Sequence, residues 1–145
     1  MQTFMPYPTF ADSARCLDRL RLGKQRVEAK QLLLALGVAV GDHKPNPESH
    51  WRNHPAAKMW RGHERQLAEY AHAVCREWIS RGYKDSLAPQ FASIAADAWA
   101  APMPAWMGDE AFHRSHQSNL LRKDAEFYGQ FGWRVPDDLP YVWPV

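Results

Sequence analysis

The stretch NHPAAKMWRGHERQLAEYAHAVCREWISRG, residues 53–82, decides the fold. Within it Trp60, His63, Leu67, Tyr70, Ala71, Val74 and Trp78 recur at spacings of three and four, the period of an amphipathic helix rather than the alternation of a strand. Asn53 or His54 opens the helix, Pro55 stands in the first turn, where its missing N–H costs nothing, and Gly82 supplies the stop. A helix of this length with one apolar face must bury that face against other elements, which predicts a helical domain.

Upstream, Asp12 or Ser13 is placed to cap a helix that runs to about Leu36, with Leu20, Val27 and Leu34 as a core stripe and Ala14, Leu17 and Leu33 beside it. Gly23 in its middle implies either a break or a close approach by another group. Before it, Pro6 and Pro8 keep Phe4 to Pro8 extended. After it, Gly37 to Ser49 has the composition of a long surface loop. Downstream, about Pro89 to Trp99 reads as a shorter helix that turns Phe91, Ile94, Ala95 and Ala98 toward the core until Pro102 and Pro104 end it. Asp109 or Glu110 then opens a helix to Lys123, its acidic start and basic end both matching the helix dipole. From Phe131 to Pro144 the chain is aromatic, rich in proline and extended. The expectation is an all-α, compact single-domain bundle over residues 1–145: about three main helices plus short ones, an extended N-terminal arm and an aromatic C-terminal tail.

With 145 residues, one core serves the whole chain. A formal charge of +2 identifies no partner by itself, but the cations cluster between Arg15 and Lys30 and again between Arg114 and Lys123. Seven Trp, five Tyr and six Phe exceed what a plain helical bundle needs, so some aromatics are expected to face a ligand. Cys16 and Cys75 both fall in helical segments with no partner nearby, as free thiols lining a core do. The opening Met1-Gln2-Thr3-Phe4 lacks the charged and apolar regions of a signal peptide, and no apolar run reaches membrane-spanning length. These features predict a cytoplasmic protein with no membrane partner, and a monomer is the favoured state.

Four residues of the first long helix, Arg21, Lys24, Gln25 and Glu28, share about a third of its circumference. A carboxylate among cations stays ionised and can stabilise a positive transition state while its neighbours hold phosphates. A solvated face with an ordinary Lys24–Glu28 pair accounts for the same residues. His113 and His116 lie three apart, but without a third and fourth ligand at recognisable spacing no metal site is expected and no cofactor is implied. Hydrogen bonding to a phosphate or base, or to loop carbonyls, fits them equally. Arg52, Asn53 and His54, after Trp51, stand where free backbone N–H groups of a helix start attract anions, or else simply cap that helix. Trp106, Trp133, Tyr141 and Trp143 can stack on unpaired bases or lock a terminus onto the core.

Taken in order, these segments resemble the pyrimidine-dimer DNA glycosylase family, the endonuclease V-like group, and above all its bacterial relatives. Asn53-His54-Pro55 through Trp60 to Trp78-Ile79-Ser80-Arg81-Gly82-Tyr83 looks like that family's long central helix and its closing turn, and Asp109-Glu110 through Lys123 and Tyr128-Gly129 looks like its third main helix with the aromatic segment behind it. The resemblance implies a small helical DNA-repair enzyme that kinks duplex DNA, displaces a base and attacks the sugar C1′ with the amine of an N-terminal threonine, assisted by a glutamate set among arginines. It places Glu28 at the glutamate, Arg26 in the basic cluster and Lys123 at the basic helix end.

The N-terminus departs from that pattern. Residue two is Gln2, whose bulk prevents methionine removal, so Thr3 does not become a terminal amine. The Met1 amine can replace it, water can be the nucleophile, or the protein can bind DNA without cutting it. The expected catalytic group is therefore Glu28 with the Met1 amine, and His113 and His116 orient the strand or shuttle a proton. The expected DNA contacts are Arg21, Lys24, Gln25, Arg26, Arg52, Asn53, His54, Arg114, Arg122 and Lys123. The leading reading is a DNA glycosylase, with AP-lyase activity, acting on damaged or modified bases in DNA. A noncatalytic nucleic-acid-binding module and a small nucleotide or small-molecule hydrolase using the histidine pair are the alternatives.

Overall fold

The computed structural model describes residues 1–96 and 102–145, and among these the regular structure is helical apart from one isolated bridge between Val40 and His43. Helix α1 spans Phe10–Cys16 and α2 spans Arg19–Ala35. The continuous helix expected from Asp12 or Ser13 to Leu36 is thus two. Thr9, not Asp12 or Ser13, caps α1, accepting the Asp12 N–H at 3.3 Å. Leu17 turns extended, and the Asp18 carboxylate caps α2 while accepting the Tyr128 hydroxyl hydrogen bond. An aspartate gains more at a cap than inside a helix, which is why the chain breaks there.

The break re-aims the expected stripe. Leu20 is 73% exposed and Val27 48%, while the face turned inward carries Leu22, Gln25, Ala29, Leu32 and Leu33. Gly23 marks a close approach rather than a break: a Cβ there would lie 3.0 Å from ring carbons of Trp78.

A 3-10 turn at His50–Asn53 leads into α3, Pro55–Trp60, with His54 as its cap and Pro55 first, as expected. The long central helix is divided as well: Gly62, at φ 87°, separates α3 from α4, Glu64–Ser80. Helix α5 is Ala88–Ala95, and the part of the expected helix that includes Ala98 and Trp99 lies outside the described residues. Helix α6, Glu110–Lys123, begins on the Asp109 cap. The segment behind it is more regular than its composition suggests, because Asp124 caps a short α7, Ala125–Tyr128, followed by a 3-10 turn at Gly129–Phe131.

Helix α4 is central, packing against α1, α2 and α5 and contributing Leu67, Tyr70, Ala71 and Val74 to the core. Trp60, Phe91 and Phe112 complete it, each fully buried and each contributing about 1.5–3 kcal/mol by removal from water. Trp106 joins them, its ring 4.9 Å from Trp60 and 4.8 Å from Phe112, so it is a core residue rather than a stacking platform. Cys16 and Cys75 are buried and free.

The N-terminal arm runs through this core instead of over it. Gln2, Thr3, Phe4 and Met5 are each 6% exposed or less. An extended segment with no strand beside it must find partners for its backbone elsewhere, and side chains supply them. Gln25 accepts the Phe4 N–H at 3.0 Å and donates to the Gln2 carbonyl at 2.9 Å. The Tyr70 hydroxyl reaches the Phe4 carbonyl at 3.0 Å. His116 Nδ1 accepts the Met5 N–H, and His113 Nδ1 donates to the Met5 carbonyl, both at 2.8 Å. Gln117 donates to the Pro6 carbonyl, and Ser13 holds both backbone groups of Tyr7. The aromatic tail locks onto the far side of α6, with Leu139 N–H bonded to Ser118 and Val142 N–H to Ser115.

Candidate active site

Fixing the arm brings the start of the chain against one face of α2. Met1, Gln2 and Phe4 from the arm, Leu20, Arg21, Lys24, Gln25 and Glu28 from α2, Lys123 from the end of α6 and Tyr141 from the tail line one cavity of about 390 Å³. Four residues bring cationic groups, Met1 by its amine and Arg21, Lys24 and Lys123 by their side chains, and they surround one carboxylate.

Glu28 is held from several sides. Its Oε2 accepts from Gln25 Nε2 at 3.1 Å and lies 3.5 Å from the Gln2 N–H, while Lys24 Nζ stands 3.8 Å from Oε1. Its side chain is 13% exposed, so it meets solvent only through the cavity. Gln25 is itself fixed, its Oε1 taking the Tyr70 hydroxyl at 2.7 Å. Arg21 is oriented by Asp18 at 3.0 Å. Burial opposes ionisation of Asp18, yet hydrogen bonds from Tyr128 and Arg21 hold its carboxyl below the ordinary range, so the anchor stays charged.

His54 belongs to the surroundings of this cavity. Burial first and the positive Met1 amine second push its pKa down, with Glu28 opposing them. Its Nδ1 accepts the Ala56 N–H at 3.0 Å, which fixes the neutral tautomer with the proton on Nε2. The ring sits edge-on to Trp51 and to Trp143 of the tail.

The other candidates lie elsewhere. Arg26 points away from the cavity: its Nε donates to Asp85 at 2.7 Å and its guanidinium lies 5.0 Å over the Trp78 ring. Asp85 in turn caps the start of α5 through the Leu87 and Ala88 N–H groups. His113 and His116 clamp Met5 and do not line the cavity. His113 Nε2 accepts the Gly108 N–H, so both its nitrogens are engaged. Burial, then the neighbouring His113, pushes the pKa of His116 down to about 3. His116 is fully buried and lacks the access to solvent or substrate that a proton shuttle needs, whereas His113, 6% exposed, lines a cleft apart from the cavity together with Gly108. Arg52 is exposed and bonds the Pro47 carbonyl, with Asn53 exposed beside it. Arg114 lines a separate cleft with Glu110 and Arg134. Arg122 bonds the Asp137 carbonyl, which ties down the tail.

Sequence reasoning missed Gln2, Phe4 and Leu20 as cavity walls and Tyr70 as the support of Gln25. The signal for Tyr70 was absent, because a tyrosine on the apolar face of α4 reads as core and its hydroxyl is satisfied by residues far away in sequence.

An amine, a carboxylate and a set of cations thus share one cavity in a small helical domain. The chain belongs to the pyrimidine dimer DNA glycosylase family, whose profile matches residues 1–89. The matched part holds Met1, Arg21, Lys24, Gln25 and Glu28, whereas Lys123 and Tyr141 lie beyond it. Membership places the chain, at the level of the family, among DNA-repair glycosylases. No curated protein and no solved structure matches it. Among the described residues, no helix is long and apolar enough to cross a membrane.

Proposed function

We propose that this protein releases a damaged or modified base from duplex DNA, with the cavity beside α2 as the site where the lesion's sugar is held. The observation that carries the reading is the convergence of Met1, Glu28, Arg21, Lys24 and Lys123 on one cavity in a chain of this family. Arg21, Lys24 and Lys123 hold phosphates on either side of the lesion. The unprotonated Met1 amine attacks C1′ and the bond from C1′ to the base breaks with its electron pair leaving on the base, which takes up the proton that the attacking nitrogen loses. The C1′–O4′ bond then opens, O4′ taking a proton from water, to leave a protonated imine on the Met1 nitrogen. Glu28 stabilises the positive charge that develops at C1′ and then on that imine. Loss of a proton from C2′ and departure of the 3′ phosphate would complete strand cleavage.

Borohydride tests the reading directly. Incubation with duplexes carrying an abasic site or a pyrimidine dimer is expected to yield base release and, with borohydride, a covalent adduct whose mass maps to Met1. Intact mass of the protein alone checks that Met1 is retained. Glu28→Gln is expected to keep DNA affinity and to lower turnover at least about a hundredfold, the usual scale for an electrostatic stabiliser of a transition state. No base release, no cleavage and no adduct on any lesion would sink the enzyme reading.

One observation favours a second reading. Thr3 is fully buried, its N–H taken by Gln2 and its hydroxyl by Trp60, so the threonine amine of the family resemblance has no counterpart here. A noncatalytic module using the same cations fits that departure. It predicts salt-sensitive DNA binding, no chemistry from the wild type, and no loss of affinity in Glu28→Gln.

A further inference from the structure

Leu20 is a cavity residue for which the proposed chemistry has no use. At 73% it is the most exposed of the large hydrophobic side chains among the described residues, and it stands in the first turn of α2 at the wall of the cavity. Its position is rigid. Asp18 caps the helix immediately before it, Tyr128 and Arg21 fix Asp18, and Leu22 and Gln25, both 1% exposed or less, anchor the next turn in the core.

The charges around Leu20 break a local rule. Arg19 and Arg21 flank it in the first turn, at the positive end of the helix dipole where anions are preferred, and Lys24 follows one turn on. Arg21 pairs with Asp18 and Lys24 stands 3.8 Å from Glu28, while Arg19 is exposed. An exposed cation set there against the dipole, with Arg21 and Lys24 beside it, suits an anionic partner. An apolar tip raised between cations beside a cavity has a specific use on nucleic acid. The cations take phosphates, and the tip enters the base stack where one nucleotide has been unstacked.

We infer that Leu20 is a wedge that enters the duplex next to the lesion and holds the unstacked state while the sugar occupies the cavity. The inference rests on the reading of that cavity as a DNA-lesion site. Leu20 acts as a positioning residue, since it fills the gap in the stack and touches none of the reacting atoms.

The test uses the full chain with a duplex carrying a non-cleavable abasic analogue next to 2-aminopurine, whose fluorescence rises on unstacking, and a second duplex carrying a pyrimidine dimer for turnover. Leu20→Ala and Leu20→Met are compared with the wild type. Because Leu20 packs little against the core, both variants are expected to keep the wild-type melting curve. Leu20→Ala is expected to bind within about twofold with the same salt dependence, yet to lose the fluorescence rise and about tenfold in turnover, whereas Leu20→Met restores both. A full fluorescence rise with Leu20→Ala overturns the wedge, as does wild-type binding to the lesion with no rise at all. Wild-type protein that binds neither duplex more tightly than undamaged DNA overturns the proposed function itself, and the wedge with it.

Discussion

Gln25 shows how much one buried amide can organise. Its Nε2 reaches the Gln2 carbonyl and Glu28, and its Oε1 takes the Phe4 N–H and the Tyr70 hydroxyl. One side chain therefore sets the register of the arm, hence the position of Met1, and also the orientation of the candidate carboxylate. Gln25→Leu would leave the buried Gln2 carbonyl and Phe4 N–H without that hydrogen-bond partner, while the Tyr70 hydroxyl keeps the Phe4 carbonyl. Each buried group left unpaired costs about 1–3 kcal/mol, so we expect urea denaturation to show a loss of at least about 2 kcal/mol. Gln25→Glu separates the two roles: it can still accept from Phe4 and Tyr70 but cannot donate to the Gln2 carbonyl, and it sets a second carboxylate against Glu28. In that variant reductive methylation with labelled formaldehyde, read by NMR, is expected to show a shifted Met1 amine resonance. An unchanged resonance would remove Gln25 from the site. The sequence could show that Gln25 shares a face with Glu28 and Arg21, but its bonds to an arm some twenty residues away depend on the tertiary fold. The place of Arg26 was hidden for the same reason, since its partner Asp85 is 59 residues away in sequence and takes it to the opposite side of α2.

At the scale of elements, helix existence was legible and helix continuity was not. The start of α3 at Pro55 and the end of α6 at Lys123 agree with their sequence signals, because capping, proline and charge act within one turn. The breaks at Leu17–Asp18 and at Gly62 were hidden by apolar spacing that continues across them. The spacing of Leu20, Val27 and Leu34 is truly helical, yet periodicity cannot say which side of a helix meets the core, and of the three only Leu20 lines the cavity. Gly23 can be decided by geometry. Alanine would gain about 1 kcal/mol of helix propensity, but its Cβ would press on Trp78, and that ring cannot easily yield. Arg26 covers Trp78, Tyr83 packs at 4.3 Å, and its Nε1 is bonded to the Lys84 carbonyl. We therefore expect Gly23→Ala to lower the melting temperature by a few degrees, corresponding to a net loss of about 1 kcal/mol, and a rise would show that the ring does move.

For the whole molecule, the buried arm makes the candidate site conditional on the fold and ties both to pH. An arm pinned by side chains has no ladder of its own, so losing a clamp frees the backbone that positions Met1. His116 is the clamp most exposed to acid. As the neutral ring its Nδ1 accepts the Met5 N–H, and the protonated ring cannot accept. Its pKa is pushed down from 6.5 to about 3 by burial and by His113, so between those values the unfolded chain takes up a proton that the folded protein refuses. Stability is unaffected by this group above pH 6.5 and falls as the pH drops, by about 1.4 kcal/mol per pH unit, until the folded pKa is reached. His54, also shifted down, adds a smaller slope of the same sign, while Asp18 and Asp85, held below 3.8, contribute only under pH 4. Denaturation midpoints measured from pH 7 to pH 4 are therefore expected to decline steadily before the carboxylates titrate. His116→Asn, whose amide oxygen can take the Met5 N–H and carries no proton in this range, is expected to flatten most of that decline. A variant as acid-sensitive as the wild type would mean that the arm is not what acid releases.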